Sequence, residues 1–247
     1  MTAVLFIHGF PFDHSMWRHQ VAALSRRRCI APDLRGAGES PGPESPAEYT
    51  VATYASDLIG LLDELKIREA VICGLSMGGY IAFEMLRSHA TRVRAAILCN
   101  TKAAADSPEA KRDRDAMAEL ARQRGAVAVA EKLLPKLLSQ DTFEKQPQVV
   151  TEVRDMITRT SVRGIVGALH ALRERPDSTS LLPRIRVPVL VVAGADDQIA
   201  PAAGMREMAG AIPDAAFVVS PAAGHLAPLE QPLPVNAAIQ QFLEKLS

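Results

Sequence analysis

Cysteine and aromatic residues are scarce in this sequence, and neither sign of charge predominates. The 247 residues include three cysteines and only 4% aromatic residues, and 28 Lys+Arg balance 28 Asp+Glu. Three cysteines without CxxC spacing favour neither a disulfide framework nor a metal–thiolate site, so we predict free, buried thiols in a reducing compartment. A net charge of zero, without a basic stripe, gives no reason to expect a nucleic-acid partner.

Long hydrophobic runs are also missing. No stretch approaches the roughly 20 apolar residues that span a bilayer, and the first residues, MTAVLFIHGF, lack the basic and apolar regions of a signal peptide. We therefore expect a cytoplasmic protein without a membrane partner. The sequence does not indicate an oligomeric state.

Short apolar runs alternate with amphipathic segments through most of the chain. The predicted strands lie in AVLFIHG, RCIAPDLRG, EAVICGLS, VRAAILCN, RVPVLVVAGADD and AAFVVSPAAGH. Between them lie segments with helical apolar spacing, such as TVATYASDLIGLLDELKI, where Thr50 or Thr53 can cap the helix. Alternation of this kind predicts an α/β fold with a mostly parallel sheet and helices on its faces.

The alternation stops between residues 102 and 183. This stretch is rich in Ala, Arg, Glu and Leu and contains several amphipathic patterns but no long strand-like run. We therefore predict a core formed by residues 1–101 and 184–247, with residues 102–183 as a helical insertion between two strands of the sheet.

One serine stands between two glycines where a predicted strand meets a predicted helix. The motif Gly74-x-Ser76-x-Gly78 in VICGLSMGGYIAF suits a sharp strand-to-helix turn that projects the Ser76 hydroxyl above the sheet edge. The new helix N-terminus aims free N–H groups at the same point. We predict that Ser76 is a nucleophile.

A serine nucleophile needs a histidine base that is oriented by a carboxylate. Of the histidines that follow Ser76, His225 comes after a strand at the carboxyl edge of the sheet, where open α/β sheets bind ligands. His89 ends the helix that begins at the serine, and His170 lies in the insertion. The carboxylate follows the strand in VLVVAGADDQIAP, where Asp196 and Asp197 both qualify by position.

Backbone N–H groups must stabilise the negative charge that develops during acyl transfer. The residue after the nucleophile, Met77, supplies one donor. The loop after the first strand, HGFPFDHSMW, supplies the other, and Phe10 is the candidate because Pro11 has no N–H.

Five segments in this order resemble one family. HGFPFDHSMW, DLRGAGES, GLSMGGYIA, GADDQIAP and AGHLAPLEQP make the chain similar to α/β-hydrolase-fold serine hydrolases over nearly its whole length. The resemblance is strongest to the branch with 3-oxoadipate enol-lactonases, small carboxylesterases and cofactor-free haloperoxidase-like enzymes. The family pattern G-x-x-D-x-x-x-P, read from Gly194 to Pro201, implies Asp197 as the acid.

The resemblance also implies features beyond the triad. The insertion corresponds to the helical cap of the family, and no metal or organic cofactor is expected. Many members begin with a strand hairpin before the first HG strand, so we expect a sheet shortened at its N-terminal edge. The expected substrate contacts include Trp17 near the oxyanion loop and Leu137 and Leu169 in the cap, which contains few aromatic residues.

The sequence thus predicts a serine hydrolase that cleaves a small carboxylic ester, lactone or thioester through an acyl-enzyme. Perhydrolysis and cleavage of C–C or amide bonds would use the same residues. A non-catalytic, ligand-binding member of the fold is the alternative from another functional class. The expected partner is a small acyl substrate.

Overall fold

The computed structural model describes residues 2–246 and contains a six-stranded sheet in the order β2-β1-β3-β4-β5-β6. All five strand pairings are parallel, so the predicted α/β class is confirmed. The strands are β1 (Ala3–Ile7), β2 (Cys29–Ile30), β3 (Ala70–Leu75), β4 (Val93–Cys99), β5 (Val189–Gly194) and β6 (Ala215–Ser220).

Helices lie between the strands and after the last of them. They are α1 (Arg18–Ala23), α2 (Val51–Glu64), α3 (Met77–Ser88), α4 (Pro108–Leu137), α5 (Gln140–Lys145), α6 (Pro147–Arg159), α7 (Val162–Glu174), α8 (Ala202–Gly210), α9 (Ala227–Glu230) and α10 (Pro232–Lys245). Helix α3 packs on β1, β3 and β4, whereas α8 and α10 pack on β5 and β6. No helix within residues 2–246 is long and apolar enough to cross a bilayer.

The centre of the sheet forms the core. Every residue of β1, β3 and β5 is buried, as expected for parallel strands covered by helices. The edge strands differ: β2 has only two residues, both half-buried, and in β6 every position before Ser220 is exposed or half-buried. Among the described residues no strand precedes β1, which lies inside the sheet next to β3.

Local signals determine where two of the helices start or bend. Thr50 caps α2, and Thr53 completes a reciprocal capping box with it. Helix α4 runs from residue 108 to residue 137 but bends at Gly125, whose φ of 75° is not helical. The whole of α4 lies within residues 102–183, the stretch that the sequence pattern predicted as a helical insertion.

Helices α4 to α7 follow one another between β4 and β5 and form the helical insertion. Helices α6 and α7 pack on α4, and α7 also contacts residues Pro46–Glu48 of the core. The Thr160 hydroxyl donates to the Pro11 carbonyl oxygen at 3.1 Å, and Arg159 pairs with Asp13 at 2.7 Å. The insertion therefore lies against the loop that follows β1.

Candidate active site

Ser76 lies between β3 and α3 with an unusual backbone conformation. Its φ is 52° and its ψ is −110°, and its N–H donates to the Cys99 carbonyl oxygen of neighbouring β4 at 3.0 Å. A positive φ in a residue with a side chain costs about 1–3 kcal/mol and persists only where the surroundings enforce it. Ser76 is half-buried, although both of its neighbours in the chain are buried.

The two glycines of the motif are required by backbone contacts. A Cβ on Gly74 would lie 2.3 Å from the Gly78 carbonyl oxygen, and a Cβ on Gly78 would lie 2.1 Å from the Ile7 carbonyl oxygen. Both distances are far below van der Waals contact. The turn at Ser76 can therefore form only because the chain lacks side chains at both positions.

His225 forms a buried pair with Asp197. The His225 Nδ1 lies 2.8 Å from one carboxylate oxygen of Asp197 and 3.1 Å from the other, and both residues are buried. The backbone N–H groups of Ile199 and Ala200 donate to the same carboxylate at 2.8 and 3.0 Å. Asp196 is exposed instead.

The environment of Asp197 keeps its carboxylate charged. Burial by itself raises the pKa of Asp197, but the neighbouring His225 and hydrogen bonds from His225, Ala200 and Asn100 outweigh burial and lower the pKa below its usual value. A charged carboxylate beside Nδ1 holds the Nδ1–H tautomer of the histidine. That tautomer leaves Nε2 free to accept a proton.

Asn100 is a site residue whose role the sequence analysis did not predict. Its side-chain amide donates to Asp197 at 2.9 Å and to the Gly224 carbonyl oxygen at 3.1 Å, so it joins the loops of the acid and the histidine. Asn100 has a φ of 48°, which asparagine tolerates better than most residues. The available signal was a buried-type strand, VRAAILC, that ends directly in an amide side chain.

The other histidines lie in different settings. His14 also pairs with a carboxylate, Asp33, at 2.8 Å, but its side chain is 54% exposed. His8 is buried, accepts the Leu34 N–H at 3.0 Å, and has a pKa lowered by burial. His170 lines a cavity of about 130 Å³ between α4 and α7. Among the described residues, His225 is the one histidine in a fully buried pair with a carboxylate.

Two backbone N–H groups near Ser76, predicted to bind an oxyanion, have no hydrogen-bond acceptor among the described residues. Within residues 2–246 the N–H groups of Phe10 and Met77 donate to no other protein group, and the Ser76 hydroxyl makes no hydrogen bond. Met77 is the first residue of α3, where N–H groups lack intrahelical partners. The Ser76 hydroxyl therefore does not bond to His225 here. Hydrogen bonds between catalytic groups are often absent in unliganded active sites and form only when substrate binds.

Phe10 and Met77 line the same small cavity. Its volume is about 10 Å³, which is room for about one water molecule. Thr160, Gly164 and Ala168 of the insertion cover it from the other side. The insertion therefore closes the space beside these two N–H groups.

A model of the alpha/beta hydrolase fold family matches residues 2–232 of this chain. The chain belongs to the alpha/beta hydrolase fold family. A thermophilic esterase from Thermogutta terrifontis, solved with malate bound, is 44% identical, with a TM-score of 0.96 over 100% of this chain and 90% of the esterase. The enol-lactonase from Burkholderia xenovorans LB400 is 36% identical, with a TM-score of 0.91 over 98% of this chain and 91% of the lactonase.

A further relative in the family supports the predicted branch. The 3-oxoadipate enol-lactonase 2 of Acinetobacter baylyi is 29% identical over 246 residues, which are 99% of this chain and 90% of the lactonase. The family resemblance that the sequence motifs indicated is thus confirmed.

The three predicted substrate contacts of this α/β hydrolase lie in packed surroundings. Trp17 is fully buried and its ring lies 5.1 Å from that of Phe6. Leu137 is buried, and its carbonyl oxygen accepts the His225 N–H at 2.8 Å. Leu169 lines the cavity of about 130 Å³ beside α4, whereas its neighbour Ala168 lines the one beside Phe10. Their roles in binding stay predictions.

A larger cavity lies on another part of the hydrolase. It measures about 360 Å³ and lies between the loop after β4, the segment Thr179–Arg184 and α8. Its lining contains Lys102 and Ala200 but no member of the Ser76, Asp197 and His225 set. We assign it no role in the chemistry at Ser76.

Three residues of the α/β hydrolase have side chains that could approach a common cation. Ligand atoms of Asp13, His14 and Asp33 lie within 4.8 Å of one another. Protein groups already engage them, because Asp13 pairs with Arg159, and Asp33 accepts from the His14 N–H at 2.8 Å. These contacts explain the cluster without an ion.

Proposed function

We propose that this protein hydrolyses small carboxylic esters or lactones through a Ser76–His225–Asp197 triad and an acyl-enzyme. The observation that carries the proposal is the buried His225–Asp197 pair, at 2.8 Å, at the same sheet edge as a serine with φ of 52°. Membership of the family and the names of the relatives, esterase and enol-lactonase, agree with this chemistry.

In the proposed acylation step, the Ser76 Oγ attacks the acyl carbon of the substrate. The serine proton passes to the Nε2 of His225, and Asp197 stabilises the imidazolium that forms. The N–H groups of Phe10 and Met77 bind the oxyanion of the tetrahedral intermediate. The proton then moves from His225 to the departing alkoxide, and the acyl group stays on Ser76.

In the proposed deacylation step, His225 accepts a proton from water while the water oxygen attacks the acyl carbon. The Ser76–acyl bond breaks, the proton returns to the Ser76 oxygen, and the carboxylic acid leaves. Each step uses side chains and backbone groups that the described residues provide, and the histidine alternates between base and acid.

The substrate is proposed to be small because the insertion covers the space beside Phe10 and Met77, and a small acyl group needs the smaller displacement of the insertion. Thr160, Gly164 and Ala168 are the proposed neighbours of the acyl group, together with the sequence-predicted Trp17, Leu137 and Leu169. Thioester, amide and C–C substrates and perhydrolysis share the triad and are separated by assay.

An ester panel tests the proposal directly. Turnover of p-nitrophenyl esters of increasing acyl length is measured beside a lactone and a thioester. Ser76→Ala and His225→Ala are expected to lower kcat by several orders of magnitude. The three side chains of the proposed triad act as a unit, and each variant removes one of them. The exposed Ser180 provides the control, and Ser180→Ala is expected to keep wild-type rates.

The outcomes separate the alternatives. Labelling of Ser76 by a fluorophosphonate, located by mass spectrometry, supports an activated nucleophile. Ester hydrolysis by Ser76→Ala at a near-wild-type rate contradicts the assignment. Peracid formation in the presence of hydrogen peroxide, faster than hydrolysis, would favour the perhydrolase. Absence of both turnover and labelling would favour a ligand-binding protein.

A further inference from the structure

Glu230 is a buried carboxylate that holds both chain neighbours of His225. It ends α9, five residues after the histidine, and is 1% exposed. One oxygen, Oε1, accepts the N–H of Gly224 at 2.9 Å and the N–H of Leu226 at 3.1 Å. The carboxylate thus accepts hydrogen bonds from the backbone on either side of the proposed base.

The second oxygen of the same carboxylate holds the helical insertion. Glu230 Oε2 accepts the backbone N–H of Ser139 and the hydroxyl of Thr142, each at 2.7 Å. Within residues 2–246 no Lys, Arg or His lies in salt-bridge range of this carboxylate. Its charge is therefore compensated by four hydrogen-bond donors rather than by a cation.

Further backbone contacts join the same two segments. The His225 N–H donates to the Leu137 carbonyl oxygen at 2.8 Å, and the Ser139 hydroxyl donates to the Ala222 carbonyl oxygen at 3.2 Å. A Cβ on Gly224 would lie 2.8 Å from the Ser139 nitrogen. Residues 137–142 and 222–230 therefore form one hydrogen-bonded unit, which we call the histidine clamp.

We propose that Glu230 is a positioning residue that fixes His225 through the histidine clamp and couples the base to the docking of the insertion. The inference rests on the proposed function, because it assigns Glu230 to the base of that triad. In this arrangement residues 137–142 move with His225. An opening that admits substrate must then involve α6 and α7 rather than the segment at residues 137–142.

The chemistry of the four donors explains why a carboxylate is needed. An ionised carboxylate only accepts hydrogen bonds and can serve two donors on each oxygen. Glutamine has nearly the same shape but replaces one oxygen by an N–H donor, which would face two other donors. Glu230→Gln therefore leaves buried N–H or hydroxyl groups unpaired, on the His225 side or on the insertion side.

The test compares phosphonylation of Ser76 by a small fluorophosphonate in four proteins: wild type, Glu230→Gln, Thr142→Val and the control Glu131→Gln, whose residue is exposed in α4. We expect Glu230→Gln to react at least about tenfold more slowly, and Thr142→Val about threefold more slowly because it loses one of four hydrogen bonds. Glu131→Gln should match wild type.

Two readouts separate positioning of the base from a general loss of structure. In Glu230→Gln the acid limb of the pH–rate profile should move to lower pH, since the substitution removes a buried negative charge that is bonded to both chain neighbours of His225. The low-field proton resonance of the His225 Nδ1–H should broaden or vanish, while circular dichroism stays as in wild type.

The outcomes separate a failure of the proposed function from a failure of the positioning role of Glu230. If wild type is not labelled at Ser76, the proposed function fails first. If wild type is labelled and Glu230→Gln reacts within twofold of it with an unshifted acid limb, the positioning role is overturned. Should Glu230→Gln not fold, Thr142→Val decides, and an unchanged rate together with an unchanged proton resonance overturns the proposal.

Discussion

Whether a glycine can be replaced depends on the atoms that a side chain at its position would contact. Gly78 lies at the first turn of α3, where a Cβ would come within 2.1 Å of the Ile7 carbonyl oxygen. Gly60 lies inside α2, and a Cβ there would meet nothing within 4 Å. Replacement of the glycine should therefore destabilise the protein at Gly78 and stabilise it at Gly60.

Replacement of each glycine by alanine tests this difference. Gly78→Ala must push α3 away from β1, so we expect a loss of about 3 kcal/mol or more in the free energy of unfolding. Gly60→Ala should raise it by about 0.5–1 kcal/mol, because alanine is the better helix former. Urea unfolding followed by circular dichroism measures both, and equal effects would contradict the argument.

Among the secondary-structure elements, the ends of the insertion are tied to the core by a buried charge cluster. Arg175, just after α7, pairs with Asp106 at 2.7 Å and donates to the Ala104 carbonyl oxygen at 2.9 Å. Its guanidinium lies 4.2 Å from the centroid of the Tyr80 ring in α3. The segment before α4 and the end of α7 thus meet beside the helix that starts at Ser76.

Removal of one charge from this cluster should be costly. Asp106→Ala leaves the buried Arg175 guanidinium without its main anion, and we expect a loss of about 3 kcal/mol in the free energy of unfolding. Asp113→Ala, at an exposed position of α4, serves as the control and should stay within about 0.5 kcal/mol. A loss below 1 kcal/mol for Asp106→Ala in urea unfolding would refute the role of the cluster.

In the whole molecule, the insertion leaves almost no room beside the proposed oxyanion donors. The cavity next to Phe10 and Met77 holds about 10 Å³, which is too little for an acyl group. Thr160 and Arg159, at the end of α6, bond to the loop after β1. We therefore expect that a substrate enters through a shift of α6 and α7 against that loop.

Weakening the contact between α6 and the loop after β1 should raise the rate of Ser76 labelling more for a bulky reagent than for a small one. Arg159→Ala removes a pair in which the arginine is half exposed, worth about 0.5–1 kcal/mol, so opening should become roughly two- to fivefold easier. The rate of Ser76 labelling is measured with a small and a bulky fluorophosphonate, and Arg154→Ala, exposed in the same helix, is the control. An unchanged ratio of the two rates would rule out this opening.

Periodicity allowed much of the fold to be predicted, because fully buried strands and amphipathic helices have distinct apolar patterns. It gave less information at the edges. β2 is only two residues long, and the first half of α4 lacks a strong apolar face before Gly125. For the candidate site, spacing and motif led to predictions only for residues such as Ser76 and His225, whose catalytic roles stay predictions.

The roles of Asn100 and Glu230 could not be predicted in the same way. Asn100 bonds to Asp197, which is 97 residues away in the chain, and Glu230 joins its near neighbours Gly224 and Leu226 to Ser139, which is 91 residues away. In the sequence alone, neither an asparagine nor a glutamate at these positions indicates which groups it bonds. Only the folded chain shows which donors and acceptors meet.

The sequence by itself determined the family, the order of strands and helices, and the turn at Ser76, because these depend on local patterns and on glycines at fixed spacing. The tertiary structure decided how closely Asp197 and His225 pair, which side of α7 faces the small cavity, and what holds the histidine loop. These depend on packing between distant segments, where a shift of one residue exchanges a buried carboxylate such as Asp197 for an exposed one such as Asp196.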